Sequence, residues 1–483
     1  MQVRHRRARR PVYSPVVRAS LLLLLSLGAC DAPTQALPCP QPAFAGSPLG
    51  VQCGALVDAQ GRQVMLHGMN VRVLGIYDNV PDSGPAYGVI PTFTDEDARQ
   101  MRAAGVNAVR LPFNWSILEP DENGGFVESY IDRLAAVVDS CRQAGIQVLI
   151  DMHQDGYTKY IGDDGAPKWA TIPPPPVRDP NDPNRNTGSA AQNAFNTFFG
   201  PSADGTRLRA RYTAMMGHIA ARFAHDDAVL GFELYNEPLS TDEVLQQFDR
   251  EQVTALHAIV PDKLVFFEPS ATRNVLDYAP FGDGSVGAGT VYAPHVYTGV
   301  FAPVSGTITK ESLRRSEANA RDEADSYLAP PVITEWGFGP SDASFADVVQ
   351  WQQELQDQYL MSSFFWVWKE VGAGSWGFFD VDAQSLAATD RPAVFADFAR
   401  VRPEAIAGKI DAISYDRVAR SLEVRFTGDS KISAPNLISI GGTPGFTAFD
   451  ATCDGKPVTS AASEPLSFDC HGAGQHTLKI SAR

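Results

Sequence analysis

Two strand-like runs end in a glutamate. GFELYNEPLS (231–240) delivers Asn236-Glu237 just before a proline, and PVITEWGFG (331–339) delivers Glu335 before a tryptophan. A strand-end carboxylate with an amide neighbour suits a general acid of raised pKa, the amide binding substrate. A second carboxylate facing the same cleft completes what glycoside cleavage needs, one group as acid/base and one as nucleophile. Double displacement requires a separation of roughly 5–5.5 Å, single displacement ~6.5–9.5 Å. A third run, LIDMHQD (149–155), ends in Asp151-x-His153-x-Asp155 and could hold a metal ion or sugar hydroxyls. At ~3.3 Å per residue the two aspartates of an extended strand lie ~13 Å apart, too far to share one ion at ~2 Å each. No metal is therefore expected; His153 and Asp155 read as hydroxyl partners, and Asp151 as their brace.

These residues need a frame. From residue 64 to about 400, eight short β-branched or aromatic runs alternate with helical patterns: 64–71, 108–113, 148–153, 231–237, 264–269, 291–297, 331–337 and 364–370. The alternation signals an α/β chain, and eight parallel strands close a (β/α)8 TIM barrel. Its active site lies at the strands' C-terminal ends, where this chain carries Asn70, Arg110, His153, Glu237, His295, Glu335 and Trp368. Trp366 and Trp368 share a face by the period of two; Trp368, nearer the end, is expected to be the sugar platform and Trp366 core. A long irregular stretch, 156–203, contains PPPP, Trp169 in PKWA and the run NAFNTFF. It is either a groove for an apolar aglycone, with Trp169 against substrate, or a loop packed on the barrel. After residue 402 short alternating strands predict a small C-terminal antiparallel β-sandwich. The expected division is a leader over 1–29, a linking segment over 30–60, the barrel over 61–400 and the sandwich over 401–483.

Charge and cysteines bound the setting. There are 40 basic and 56 acidic residues, and six of the arginines lie in residues 1–18. Without that leader the net charge is −22, which argues against a nucleic-acid partner. RHRRARR (4–10) followed by SLLLLLSLGAC (20–30) reads as an export signal whose apolar core is too short to span a membrane. LGAC resembles a bacterial lipobox, making Cys30 the acylated first residue of a chain anchored in the cell envelope. An ordinary signal peptide cleaved near Ala29, giving a secreted protein, is the alternative. In an oxidising compartment the economical disulfides are Cys39–Cys53 and Cys453–Cys470, leaving Cys141 as a buried thiol.

Arg110 in VRLP, NEP at 236–238, His295-x-Tyr297, TEWG at 334–337 and the aromatic end of the eighth run together resemble glycoside hydrolase family 5, a family of retaining barrel glycosidases. The resemblance implies Glu237 as acid/base and Glu335 as nucleophile, with Arg110 and Tyr297 holding Glu335 ionised. Asn236 would meet the sugar 2-hydroxyl and His295 would line the cleavage subsite. DMHQD (151–155), GDDGAPKWA (162–170), NAFNTFF (193–199), SWGFFD (375–380) and RPEAIAG (402–408) are similar to the endoglycoceramidase and glycosylceramidase branch. That likeness implies a monomer, without cofactor, that hydrolyses the bond between a glycan or glucose and ceramide at a membrane surface. Where the branch carries a sugar-binding Lys after the first G-x-N, this chain has Arg72 and Leu74, so the headgroup stays open. The alternatives are a family 5 β-glucanase acting on soluble polysaccharide, and a carbohydrate-binding lipoprotein on a retired barrel. The intact pair Glu237 and Glu335 argues against the latter.

Overall fold

In the computed structural model of the chain, the described residues are 43–483 without 81, 83–87, 180, 183, 301–307, 373–375, 445 and 461–463. The leader, Cys30 and Cys39 lie outside them. The eight expected runs form the parallel barrel strands His67–Asn70, Ala108–Phe113, Gln147–Met152, Val229–Glu233, Leu264–Phe267, Thr290–Tyr292 with His295–Val296, Val332–Trp336 and Ser362–Phe365. The sixth strand is interrupted at Pro294, which has no N–H to give a ladder. Its first half pairs with the fifth strand and its second half with the seventh, setting His295 beside Glu335. That double pairing closes the ring. AVRLPF (108–113) is buried at every position, as expected where side chains fill the barrel inside and helices cover it outside.

Between strands, polar starts and apolar stripes make the helices. Asp95–Ala103 opens on a capping box in which Thr94 accepts from the Asp97 N–H and the Asp97 carboxylate accepts from the Thr94 N–H, with three acids in its first turn. Within 156–203, the run SAAQNAFNTFF forms a helix, Ser189–Phe199, where an irregular segment was expected. Phe195, Phe198 and Phe199 fall on one helical face and are buried in an aromatic cluster with Tyr157, Tyr212, Tyr235 and Phe248. The phenylalanines are barrel packing and offer no groove to a lipid.

Residues 30–60, expected as a linker, contain two paired strands, Leu49–Gln52 and Ala55–Asp58. Leu49, Val51 and Leu56 pack against Leu66, Ala108, Leu149, Leu230 and Leu264, closing the barrel floor. The hairpin continues through Gln63–Val64 onto Arg402–Ile406, in a six-stranded sheet completed by Asn436–Ser439 and Leu466–Phe468. A second antiparallel sheet contains Gly408–Asp416, Ser421–Gly428, Gly474–Ala482, Phe449–Cys453 and Lys456–Pro457. Ile406, Ile438 and Phe468 of one sheet meet Val424, Phe426, Leu478 and Ile480 of the other. A disulfide between Cys453 and Cys470 joins the two layers. Cys141 is buried on helix Glu128–Gln143, and burial pushes its thiol up to about 12. No helix among the described residues is long and apolar enough to cross a membrane.

Candidate active site

The site is built around one buried guanidinium. Arg110, on the second strand, is fully buried. Its Nε donates to Glu233, Nη1 to Glu335 Oε1 at 2.5 Å and Asn70 Oδ1 at 3.2 Å, and Nη2 to Asn236 Oδ1 at 2.9 Å. Asp151 Oδ2 and Glu268 Oε1 lie 3.0 and 3.3 Å from Nη2. Burial opposes the arginine's charge, and the surrounding carboxylates outweigh that and hold its pKa well above the ordinary value. Removing the guanidinium strands several buried carboxylates. Arg110→Met is expected to lose roughly 3–5 kcal/mol of stability, read as a lower urea midpoint at unchanged slope; a wild-type midpoint would contradict this.

Glu335 presents both oxygens to donors, Oε1 to Arg110 and Oε2 to the Tyr297 hydroxyl at 2.9 Å. The two donors fix the orientation of this buried carboxylate. Burial, then the charges of Glu335 and Glu237, raise the Tyr297 pKa well above its ordinary value, so its proton stays available for donation.

Glu237 differs. Its side chain is 24% exposed against 6% for Glu335. Its backbone is left-handed, φ 44°, held by Glu268 Oε2, which accepts the Glu237 N–H at 3.0 Å, and by Gln154 Nε2, which donates to its carbonyl at 3.0 Å. That unusual conformation carries the carboxylate out of the strand direction and into the mouth. Oε1 accepts from Asn274 Nδ2 at 2.5 Å and faces His295 Nδ1 at 2.8 Å, leaving Oε2 to carry the acid proton. Burial raises its pKa, the His295 hydrogen bond and charge lower it, and the Glu335 charge raises it further. His295 is itself driven up: burial opposes its charge, but Glu268, Glu335 and Glu237 surround it. One oxygen of Glu237 and one of Glu335 lie within 4.8 Å of each other. The close spacing suits double displacement and leaves no gap for the water of the inverting arrangement.

Beside the pair, Asp151 Oδ2 braces His153 Nδ1 at 2.6 Å while reaching Arg110. Burial disfavours the His153 charge, but Asp151, Asp155 and Asp164 raise its pKa well above the ordinary value. The chain then turns at Gly156, φ +68°, where a Cβ would stand 2.9 Å from the Asn186 and Gly162 backbones. The turn brings Asp155 back onto Asp164, its Oδ2 3.8 Å from His153 Nε2 and accepting the Tyr77 hydroxyl at 3.3 Å. His153, Asp155 and Asp164 each place one ligand atom within 4.8 Å of the others, close enough for an ion, whereas Asp151 is engaged by His153 Nδ1 and Arg110. Asp164 already accepts from Asn114 Nδ2 at 3.0 Å. Asp155 is the partly exposed member of the cluster, its side chain 28% exposed, whereas His153 and Asp164 are buried.

Residues 57–372 match the family described as Cellulase (glycosyl hydrolase family 5). The chain belongs to glycosyl hydrolase family 5. It is 28% identical over 466 residues to endoglycoceramidase I of Rhodococcus hoagii, covering 88% of this chain and 86% of that protein. A glucosylceramidase of Cryptococcus neoformans is 31% identical over 130 residues, 25% of this chain and 18% of that one. Endo-glycoceramidase II from Rhodococcus sp. superimposes with a TM-score of 0.74 at 24% identity, over 88% of this chain and 99% of that chain, and has also been solved as a ganglioside GM3 complex. The family 5 chain is thus a retaining glycoside hydrolase built on a TIM barrel.

Several sequence expectations for the family 5 site change. Trp368 is no sugar platform: it is 1% exposed, donates Nε1–H to Asp97 at 2.9 Å and packs on Phe378 and Phe379. Trp366, expected in the core, is half-buried and stacks near-parallel on His153 at 5.7 Å. Trp376 stands 6.0 Å from Tyr297. Trp376 thus lies beside the tyrosine that holds Glu335. Trp169 donates to the Glu119 carbonyl at 2.9 Å and meets the Trp115 edge, so its ring packs on the barrel. Asn236 spends Oδ1 on Arg110 and one amide N–H on the Gln154 carbonyl, keeping its second N–H for a sugar hydroxyl. Glu233, Glu268 and Asn274 were not anticipated. A glutamate inside a fully buried strand is a readable signal for Glu233; Asn274, on a one-turn helix, offers none.

Proposed function

We propose that this family 5 enzyme hydrolyses the β-glycosidic bond between a sugar headgroup and ceramide. Glu335 attacks the anomeric carbon while Glu237 protonates the departing ceramide oxygen; Glu237 then takes a proton from water, which releases the sugar from Glu335. The observation that carries the ceramide reading is the extent of the likeness to the Rhodococcus hoagii protein. It spans most of both chains, whereas the family match ends at residue 372, before the β-sandwich. Exposed apolar side chains also favour a lipid substrate: Leu74, Val80 and Val89 follow the first barrel strand, and Leu276, Tyr278 and Phe281 follow the fifth, both at the barrel's active-site end. We further propose that the enzyme works as a monomer in the cell envelope, held to a bacterial membrane by acylated Cys30.

For headgroup choice, the segment where the branch is expected to carry a lysine has Leu74 and Arg72. Arg72 donates to Glu370 Oε1 at 2.6 Å and lies 5.6 Å from the Tyr77 ring centroid. Incubation with glucosylceramide, lactosylceramide and a ganglioside, resolved by chromatography, tests the proposal. Release of ceramide from at least one is expected. If none is cut while a soluble β-glucan is, the enzyme is a family 5 glucanase and the lipid reading fails.

A further inference from the structure

RPEAIAG (402–408) leads from the barrel into the β-sandwich, and catalysis makes no use of it. Its arginine and Arg400 are buried at that junction, in a cavity lined also by His67, Gln356 and Asp357. The cavity offers about 10 Å³, room for one particle of roughly water size. Gln356, Arg400 and Arg402 are each more than nine-tenths buried, and each carries an N–H donor with no acceptor: Gln356 Nε2, Arg400 Nε and Arg402 Nε. The Ser363 hydroxyl accepts from Trp336 Nε1 at 3.0 Å and donates to Gln356 Oε1 at 2.9 Å.

Charge at the cavity is uneven. Arg400 pairs with Asp357, whereas Arg402 donates to the Phe398 carbonyl at 2.9 Å and lies over the Phe398 ring. Glu404, the nearby acid, is held by Arg102 at 2.7 Å. Burial, then the Arg400 charge, drop the Arg402 pKa to about 9; Asp357 and Glu404 offset this only in part. Burial and Arg402 likewise depress His67, which stays neutral. Unsatisfied buried donors cost of order 1–3 kcal/mol each, and two buried guanidinium groups facing one unshared carboxylate, Asp357, leave an excess of positive charge that costs more.

We propose that a monovalent halide, chloride in the cell, occupies this cavity, accepting from Gln356, Arg400 and Arg402 and fastening the sandwich to the barrel. Water could satisfy donors but would leave the positive charge; a small anion does both, and sulfate or phosphate exceeds the space.

The test follows thermal unfolding of the full-length enzyme at constant ionic strength as gluconate is replaced by chloride or bromide. The midpoint is expected to rise saturably by several degrees with either halide, and Gln356→Leu and Arg402→Gln should each abolish the rise. Anomalous diffraction from bromide-grown crystals provides a readout that needs no variant, with a peak expected between the three donors. A midpoint indifferent to halide, with only water at that position, overturns the proposal.

Discussion

Glu335→Ala is expected to lower kcat on an aryl β-glucoside by roughly 10⁴-fold or more, and azide is expected to restore turnover with an α-glycosyl azide as product. The geometry dictates the stereochemistry. Arg110 and Tyr297 hold the Glu335 carboxylate; as the nucleophile it would meet the sugar on the face opposite the leaving group, and truncation opens that place without touching Glu237. Azide entering there makes the single displacement that Glu335 would have made. Because no second displacement follows, the anomeric centre is inverted. The acid still delivers its proton, so substrates with poor leaving groups should be rescued as well. Proton magnetic resonance of the azide product reads the outcome. A β-azide, or near-wild-type activity without azide, removes Glu335 from the nucleophile's role.

The strand ends were legible because a barrel strand obeys two local rules, apolar continuity and chemistry at its C-terminal end. Glu237, Glu335, Arg110 and His295 follow from those rules, Tyr297 comes from the family resemblance, and all five converge on one site. Trp366 and Trp368 were misassigned because alternation applies only within a strand. The eighth strand stops at Phe365, so both rings lie beyond it and turn to different environments. The spacing of Phe195, Phe198 and Phe199 is helical and could have been read as a buried stripe. The N-terminal hairpin is a different matter. Its strands are four residues long, and the sheet they join is completed by Arg402–Ile406, more than 300 residues away; no local pattern encodes such pairing. Glu268 and Asn274 contribute through distances across the mouth, which only the folded chain supplies.

Glu237→Ala is expected to lower kcat on glycolipid by about 10²–10⁴-fold, while leaving formation of the glycosyl-enzyme nearly intact for a dinitrophenyl glycoside, whose leaving group needs no proton. Azide should then attack the sugar already attached to Glu335 and give the β-glycosyl azide, the opposite anomer to that from Glu335→Ala. The pH profile supplies an independent check. Burial and the Glu335 charge raise the Glu237 pKa against the opposing pull of His295. kcat/KM of the wild type therefore falls as pH rises through that raised value, and the alanine variant should lose this alkaline limb with the activated substrate. The same electrostatics explains how one residue serves twice. Once Glu335 is esterified its charge is gone, the repulsion on Glu237 ends, and the Glu237 pKa drops while His295 and Asn274 still hold Oε1. The acid of the first step is thereby ionised when a base is required. An alkaline limb unchanged in Glu237→Ala would show that another group controls proton transfer.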